Sequence, residues 1–177
     1  KLKTCVLWGN KLSGKVPQAI MDHPCWATNW HLILNQSDYG ISEEGIEIYA
    51  PEFSVKTISG ETLTNEIFSK NKLTVIYHFL DWCPFAETFT PRLIGLYEMF
   101  KDLGLGAFSL TSQDDAAVRA YVDKHRIPWP CTVSQLETGT FINYIDRTPT
   151  VTVCDKDGLI VFNSALRDYG ELADFLT

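Results

Sequence analysis

The chain has 177 residues, of which 45% are hydrophobic and 12% aromatic, which is enough for one domain with a sizeable core. Its formal net charge of −7 argues against nucleic acid or an anionic membrane surface as the main partner. No apolar run approaches the roughly 18 residues that a membrane-spanning helix needs.

Residues 1–48 show no clear hydrophobic period, and we expect an N-terminal extension of uncertain structure there, with one short strand at 4–9. A second unit is expected over residues 49–177, because the pattern becomes regular from about Ile46 onwards.

The second unit alternates strand and helix patterns in chain order. The predicted elements are a hairpin over 50–64 with its turn at Ser59-Gly60, a buried strand over 73–80, a helix after Cys83 that ends at Gly104, a strand over 105–112, a helix over 114–126 opened by a capping box at Ser112–Asp115, a short strand over 131–135, two strands joined by a turn at 156–158, and a closing helix at 169–177. This order predicts an α/β fold with a mixed central β-sheet flanked by helices.

The run from Trp82 to Ala86 carries the clearest chemical signal in the sequence. A buried strand leads directly into Cys83, and Pro84 suits the first turn of a helix. Unpaired N–H groups and the helix dipole stabilise a thiolate at such a position, and the thiolate is the nucleophile. Cys83 is therefore a candidate reactive thiol, and a buried structural cysteine is the alternative.

Four short motifs in the correct order resemble the thioredoxin fold, specifically its redoxin branch of TlpA-like, ResA-like and tryparedoxin-like proteins. They are APEF at 50–53 with the turn at Gly60, the Trp-Cys-Pro-Phe segment at 82–85, Pro91 eight residues after the cysteine, and Thr-Pro-Thr at 148–150. The resemblance covers residues 49–177 and implies a thioredoxin-like fold.

The resemblance also implies a function, thiol–disulfide exchange, in which Cys83 attacks a protein disulfide. Pro149 is then a cis-proline, and the backbone of Thr148 pairs with an extended substrate segment. Substrate contacts are further expected from the residues that border the cysteine, Trp82, Pro84 and Phe85. The implied partners are a protein thiol or disulfide substrate and a redox partner protein. No cofactor and no metal are expected, and an extracytoplasmic, periplasmic or secreted location is favoured.

Three positions depart from the pattern of the resembled proteins. Ala86 stands at the position of the resolving cysteine, so we expect the exchange to stall at the mixed disulfide, and either an engineered Cys→Ala change or a natural single-cysteine site accounts for it. A buried carboxylate would stand at Tyr77 in many thioredoxins, or at Phe89 in ResA-like proteins. Asp81 and Glu87 flank the motif and are alternative proton carriers, although a solvated or structural role is favoured for both.

Other readings remain open from the sequence alone. Cys5 and Cys25 form either a disulfide or two reduced structural thiols, and Cys131 and Cys154 are expected to be small buried hydrophobes. Trp129 belongs either to an apolar rim with Trp82 and Phe85 or to the core.

The sequence bears on two rival functions. A peroxiredoxin motif would need proline and Thr or Ser at seven and three residues before Cys83, where the chain has Ile76 and Leu80. A redox-inactive binding or assembly module on the same scaffold is the main alternative function.

Overall fold

The computed structural model describes residues 14–15, 46–47, 49–50, 52–132, 149–165 and 169–177. The described strands are β1 (Gly14–Lys15), β2 (Ile46–Glu47), β3 (Ser54–Lys56), β4 (Thr62–Thr64), β5 (Leu73–His78), β6 (Leu105–Leu110), β7 (Thr150–Asp155) and β8 (Ile160–Ala165). The described α-helices are α1 (Glu66–Ser69), α2 (Pro84–Phe100), α3 (Asp115–His125) and α4 (Tyr169–Leu176), and a 3-10 turn at Lys101–Leu103 follows α2.

Four of the described strands form the central sheet, in the order β6-β5-β7-β8. β5 runs parallel to β6 and antiparallel to β7, with His78 opposite Thr150, and β7 and β8 form an antiparallel hairpin. The predicted mixed sheet is therefore confirmed. Its two inner strands are buried along most of their length because both faces of the sheet are covered.

The two faces of β5 belong to different parts of the core. Val75 and Tyr77 point to the face that packs against α2, α3 and α4 in the main hydrophobic cluster. On the opposite face, Phe108 of β6 stacks on Phe53 with ring centroids 5.5 Å apart, and Phe68 of α1 meets Phe53 edge-on at 5.9 Å. The short helix α1 is absent from the sequence prediction.

The long helix α2 presents a buried stripe to the sheet. Its members recur at helical spacing: Ala86, Phe89, Thr90, Leu93 and Leu96. The helix continues through Pro91, and the chain leaves the following 3-10 turn at Gly104, whose φ of +105° favours glycine. The predicted end of this helical segment at Gly104 is confirmed.

Two turns and one cap show the local chemistry that sets the connections. Gly60 has φ +89° in the predicted β3–β4 turn, and Gly158 has φ +82° in the predicted β7–β8 turn. The N-cap of α3 is Asp114, whose carboxylate accepts the N–H of Ala117 at 2.9 Å. The capping box predicted at Ser112–Asp115 is therefore wrong. It would make Ser112 the N-cap residue, whereas Asp114 is the N-cap and accepts a hydrogen bond from the first turn of α3.

Several predictions fall outside the described residues: the strand at 4–9, the states of Cys5 and Cys25, Pro51, Thr148 and most of the segment between Val133 and Arg147. The boundary between the 1–48 extension and the 49–177 domain stays a prediction. None of the helices in the described ranges is long and apolar enough to cross a membrane.

Candidate functional site

Cys83 is the N-cap residue of α2. Its backbone is extended, with φ −81° and ψ 116°, and Pro84 follows as the first helical residue. The Cys83 carbonyl already accepts the N–H of Glu87 at 3.2 Å, while its side chain does not cap the helix. The sulfur therefore stands at the positive end of a 17-residue helix, as the sequence predicted.

The loop that carries Cys83 is tied to the end of β6. Thr111, fully buried, donates its hydroxyl to the carbonyl of Phe79 at 2.9 Å, and the N–H of Phe79 donates to Leu110 at 3.4 Å. The N–H of Cys83 donates to Leu80 at 3.0 Å, which closes a turn just before the helix. These bonds fix the end of β5 and the position of the loop that leads to Cys83.

The surface around the cysteine is apolar and unevenly exposed. The exposed fraction of the residue is 69% for Trp82 and 66% for Phe85, but only 5% for Cys83. Ala86 is completely buried one helical turn further along. A recessed thiol between two exposed aromatic rings suits contact with another macromolecule.

Pro149 lies at the start of β7 and is buried. Because Thr150 pairs with His78, the start of β7 and the end of β5 meet at the same edge of the sheet. Four residues separate His78 from Cys83, so Pro149 and Cys83 belong to loops at that edge. The adjoining Thr148 lies outside the described residues, and the cis state of the Thr148–Pro149 bond stays a prediction.

Sequence reasoning missed a buried hydroxyl network formed by Tyr77, Thr90 and Tyr121. The Thr90 hydroxyl oxygen lies 2.8 Å from that of Tyr77 and 2.8 Å from that of Tyr121. Burial raises the pKa of both tyrosines, that of Tyr121 to about 12. The only signal in the sequence was the helical spacing of Cys83 and Thr90, seven residues apart on one face of α2.

Glu87 links α2 to α3 at the surface. Its carboxylate lies 2.6 Å from Lys124 Nζ and 3.1 Å from His125 Nε2, and the second contact lacks hydrogen-bond geometry. The hydrogen bond from Lys124 lowers the pKa of Glu87 below its ordinary value. The carboxylate therefore pairs with Lys124 of α3, which supports the structural role favoured for it.

The two other described cysteines are thiols buried in the protein. Burial raises the pKa of Cys131 to about 12, and it raises the pKa of Cys154 further. Both therefore fit the expected role of small buried hydrophobes.

Trp129 belongs to the core and not to the rim. It is 4% exposed, it donates Nε1–H to Ser109 Oγ at 2.7 Å, and its ring meets Tyr97 edge-on.

In the described ranges, no group of three or more His, Cys, Asp or Glu side chains is placed to hold a metal ion.

Comparison with known proteins identifies the group to which this fold and site belong. The sequence model of the AhpC/TSA family matches residues 46–162. The chain belongs to the AhpC/TSA family. Within it, the chain is a thioredoxin-like redoxin. The matched segment begins at β2 and ends at Phe162 in β8.

Two curated relatives and one solved structure show how far the similarity extends. The thioredoxin-like protein YneN of Bacillus subtilis is 28% identical over 138 residues, which cover 75% of this chain and 78% of that protein. The thiol-disulfide oxidoreductase ResA of Bacillus thuringiensis is 27% identical over 115 residues, 63% of this chain and 65% of ResA. A thiol:disulfide interchange protein of the thioredoxin family from Chlorobium tepidum superimposes with a TM-score of 0.62 at 21% identity, covering 73% of this chain and 93% of that one. The last comparison shows the thioredoxin-like fold of this redoxin.

Proposed function

We propose that this redoxin carries out thiol–disulfide exchange with protein substrates through Cys83. One observation carries the proposal: the cysteine is the N-cap residue of α2 in a redoxin, recessed between two exposed aromatic side chains. Family membership and the names of the curated relatives support oxidoreductase chemistry at the level of the family.

The first step balances as a thiolate displacement. The Cys83 thiolate attacks one sulfur of the substrate disulfide, a bond forms between Cys83 and that sulfur, and the other substrate sulfur leaves as a thiolate that takes up a proton. One disulfide is consumed and one mixed disulfide is formed. The N-terminus of α2 favours the attacking anion, because Cys83 is the N-cap residue and the positive end of the helix dipole lies there.

Substrate positioning is assigned to the two loops at the sheet edge. Trp82, Pro84 and Phe85 offer the apolar surface, and the backbone at Thr148 offers hydrogen bonds to an extended segment, with Pro149 holding that backbone in place. The buried start of β7 beside the end of β5 supports this arrangement.

Release of the substrate is the step that this chain lacks. Ala86 occupies the position where a second thiol would attack the mixed disulfide, and alanine has no nucleophile. We therefore propose that the chain stalls at the mixed disulfide until a thiol from a redox partner protein attacks. An extracytoplasmic location, where disulfides persist, is part of the same proposal.

Covalent capture tests the proposal. The reduced protein is mixed with native insulin, whose disulfides are intact, free thiols are blocked, and adducts are separated on a non-reducing gel. We expect an adduct that dithiothreitol cleaves and that mass spectrometry places on Cys83. Cys83→Ser should abolish it, whereas Cys131→Ser should leave it unchanged because that thiol is buried.

The same experiment separates the rival function. A binding module predicts that Cys83→Ser retains the partner noncovalently and that the wild type forms no adduct. If the folded wild type binds insulin chains without a covalent product, the exchange function is wrong, and the aromatic residues Trp82 and Phe85 remain as a binding surface.

A further inference from the structure

The turn that precedes Cys83 carries a carboxylate and an indole ring side by side. The N–H of Cys83 donates to the carbonyl of Leu80 at 3.0 Å, so Asp81 and Trp82 are the two central residues of a four-residue turn. Covalent geometry therefore sets their distance from the thiol residue. Consecutive Cα atoms lie about 3.8 Å apart, so the Cα atoms of Asp81 and Cys83 are within about 7.6 Å of each other.

The carboxylate of Asp81 is held at this turn with its charge uncompensated. The residue is half-buried, and its Oδ1 accepts the N–H of Trp82 at 2.9 Å. Within the part of the chain that the structure describes, no lysine, arginine or histidine forms an ion pair with it. The turn beside the thiol therefore carries a negative charge that a cation from outside can meet.

The other carboxylate close to Cys83 in the chain is already compensated. Glu87 lies 2.6 Å from Lys124 Nζ, so its charge is met within the protein. Residues 80–87 contain no lysine or arginine, and the whole chain has a formal net charge of −7. The local charge at the turn and the charge of the whole chain thus have the same sign, and both favour a cationic partner.

The two exposed rings suit the same kind of partner. Trp82 is 69% exposed and Phe85 66%, and the two residues flank Cys83 in the sequence. The face of an aromatic ring attracts a lysine or arginine cation, and a guanidinium group also stacks on it. The aliphatic stems of these side chains pack on apolar surface. A neutral apolar segment would use the rings alone, whereas an acidic segment would be repelled by Asp81.

We propose that the protein segment captured by Cys83 carries arginine or lysine next to its own cysteine, and that Asp81 and Trp82 select it. This inference rests on the proposed function and names the chemical class of its substrate. A disulfide holds its two Cα atoms about 4.4–6.8 Å apart, so the neighbours of the substrate cysteine come within reach of the turn. There a cationic side chain meets the carboxylate and the indole ring together.

The test uses three peptides of equal length that carry one cysteine flanked by arginine, by glutamine or by glutamate. The cysteine is joined to thionitrobenzoate by a disulfide. The Cys83 thiolate attacks the peptide sulfur, the bond to thionitrobenzoate breaks, and the coloured thionitrobenzoate anion leaves with the electron pair. Each rate is divided by the rate of the same peptide with mercaptoethanol, which corrects for the intrinsic reactivity of the peptide. Mass spectrometry checks that the peptide is attached to Cys83.

We expect the arginine peptide to react roughly five- to twentyfold faster than the glutamate peptide at low ionic strength, with the glutamine peptide between them. Salt at about 0.5 M should reduce this preference to roughly twofold, because it screens exposed charges. Asp81→Asn keeps an oxygen that can accept the N–H of Trp82, and it should reduce the preference about threefold. Trp82→Leu keeps an apolar side chain without a ring and should reduce it about twofold.

Asp102→Asn is the matched control. It removes an exposed aspartate in the 3-10 turn beyond the far end of α2, a helix of 17 residues that spans about 25 Å. The net charge changes as in Asp81→Asn, but the preference should stay as in the wild type. Because the peptides are compared within one variant, a general change in the reactivity of the thiol cancels.

Three contrary results have different meanings. Equal corrected rates for the three peptides, or a faster glutamate peptide, would overturn the selection and leave the exchange function intact. A preference that Asp81→Asn and Asp102→Asn reduce equally would trace it to the net charge of the chain and overturn the role of the turn. A folded wild type that releases no thionitrobenzoate from any peptide would contradict the exchange function itself.

Discussion

Ala86 lies one helical turn from Cys83 on the same face of α2, and it is completely buried while Cys83 is 5% exposed. Residues three apart on a helix have Cβ atoms roughly 5–6 Å apart, close to the spacing that a disulfide spans after a small adjustment. A thiol at position 86 would therefore meet Cys83 from the protein side, while the substrate approaches from solvent.

Ala86→Cys should give the protein dithiol turnover. The second thiol attacks the mixed disulfide within the same molecule, and such intramolecular steps outrun their bimolecular equivalents by large factors. In an insulin-reduction assay with dithiothreitol as the reductant, we expect the rate to rise at least about tenfold over the wild type. Thr88→Cys is the matched control, because it places a thiol on the exposed face of the same helix. Equal rates for Ala86→Cys, Thr88→Cys and the wild type, in folded proteins, would contradict the assignment of position 86.

Alkylation of the native protein should label Cys83 well before Cys131 and Cys154. Burial raises the pKa of Cys131 to about 12 and that of Cys154 further, so neither forms a thiolate near neutral pH, and both are out of reach of the reagent. A time course at pH 7.5 with peptide mapping measures the order. Both buried thiols should react only after denaturant is added. Early labelling of either one would show that the core opens locally or that the packing differs.

Trp82→Ala and Phe85→Ala should slow reaction with a protein disulfide but not with a small reagent. The two rings are largely exposed and make little contact with the core, so their removal should act on the encounter with a partner. We expect the rate of adduct formation with insulin to fall roughly three- to tenfold, with iodoacetamide labelling unchanged. Met99→Ala, which removes an equally exposed apolar side chain near the far end of α2, is the control.

His78 should make the protein less stable in acid. Burial lowers its pKa to about 4, below the ordinary value of 6.5. Between pH 6.5 and pH 4 this residue is therefore protonated in the unfolded state and neutral in the folded state. Stability is therefore fully present above pH 6.5 and declines as the pH falls towards 4, by up to about 3 kcal/mol from this residue.

Urea unfolding of the wild type and of His78→Gln at pH 7.5 and pH 4.5 isolates that contribution, because carboxylate titration is common to both proteins. We expect the wild type to lose more stability than the variant over this interval. An equal loss in both proteins would mean that His78 is already protonated in the fold.

The local order of the fold was predictable because each signal lies within a few residues. The apolar run at 73–80, the glycines at 60, 104 and 158 and the helical spacing after Cys83 act through backbone sterics, burial and hydrogen bonds between near neighbours. The position of Cys83 at the start of a helix followed from the same reasoning and was confirmed.

The surroundings of the cysteine depended on contacts between residues far apart in the chain. Whether Trp129 lines a rim or packs in the core was open from the sequence, and the hydrogen bond to Ser109, twenty residues away, places it in the core. The contact between Thr90 and Tyr121 spans 31 residues, so no local pattern could have revealed it.

The sequence by itself determined the order of elements, the strand-to-helix junction at Cys83 and the alanine where a second thiol would stand, since all three are properties of short stretches. Only the tertiary structure decided what lies beneath that junction. The parallel pairing of β5 with β6 and the packing of α2 and α3 on one face bring three hydroxyls together, and burial keeps them neutral.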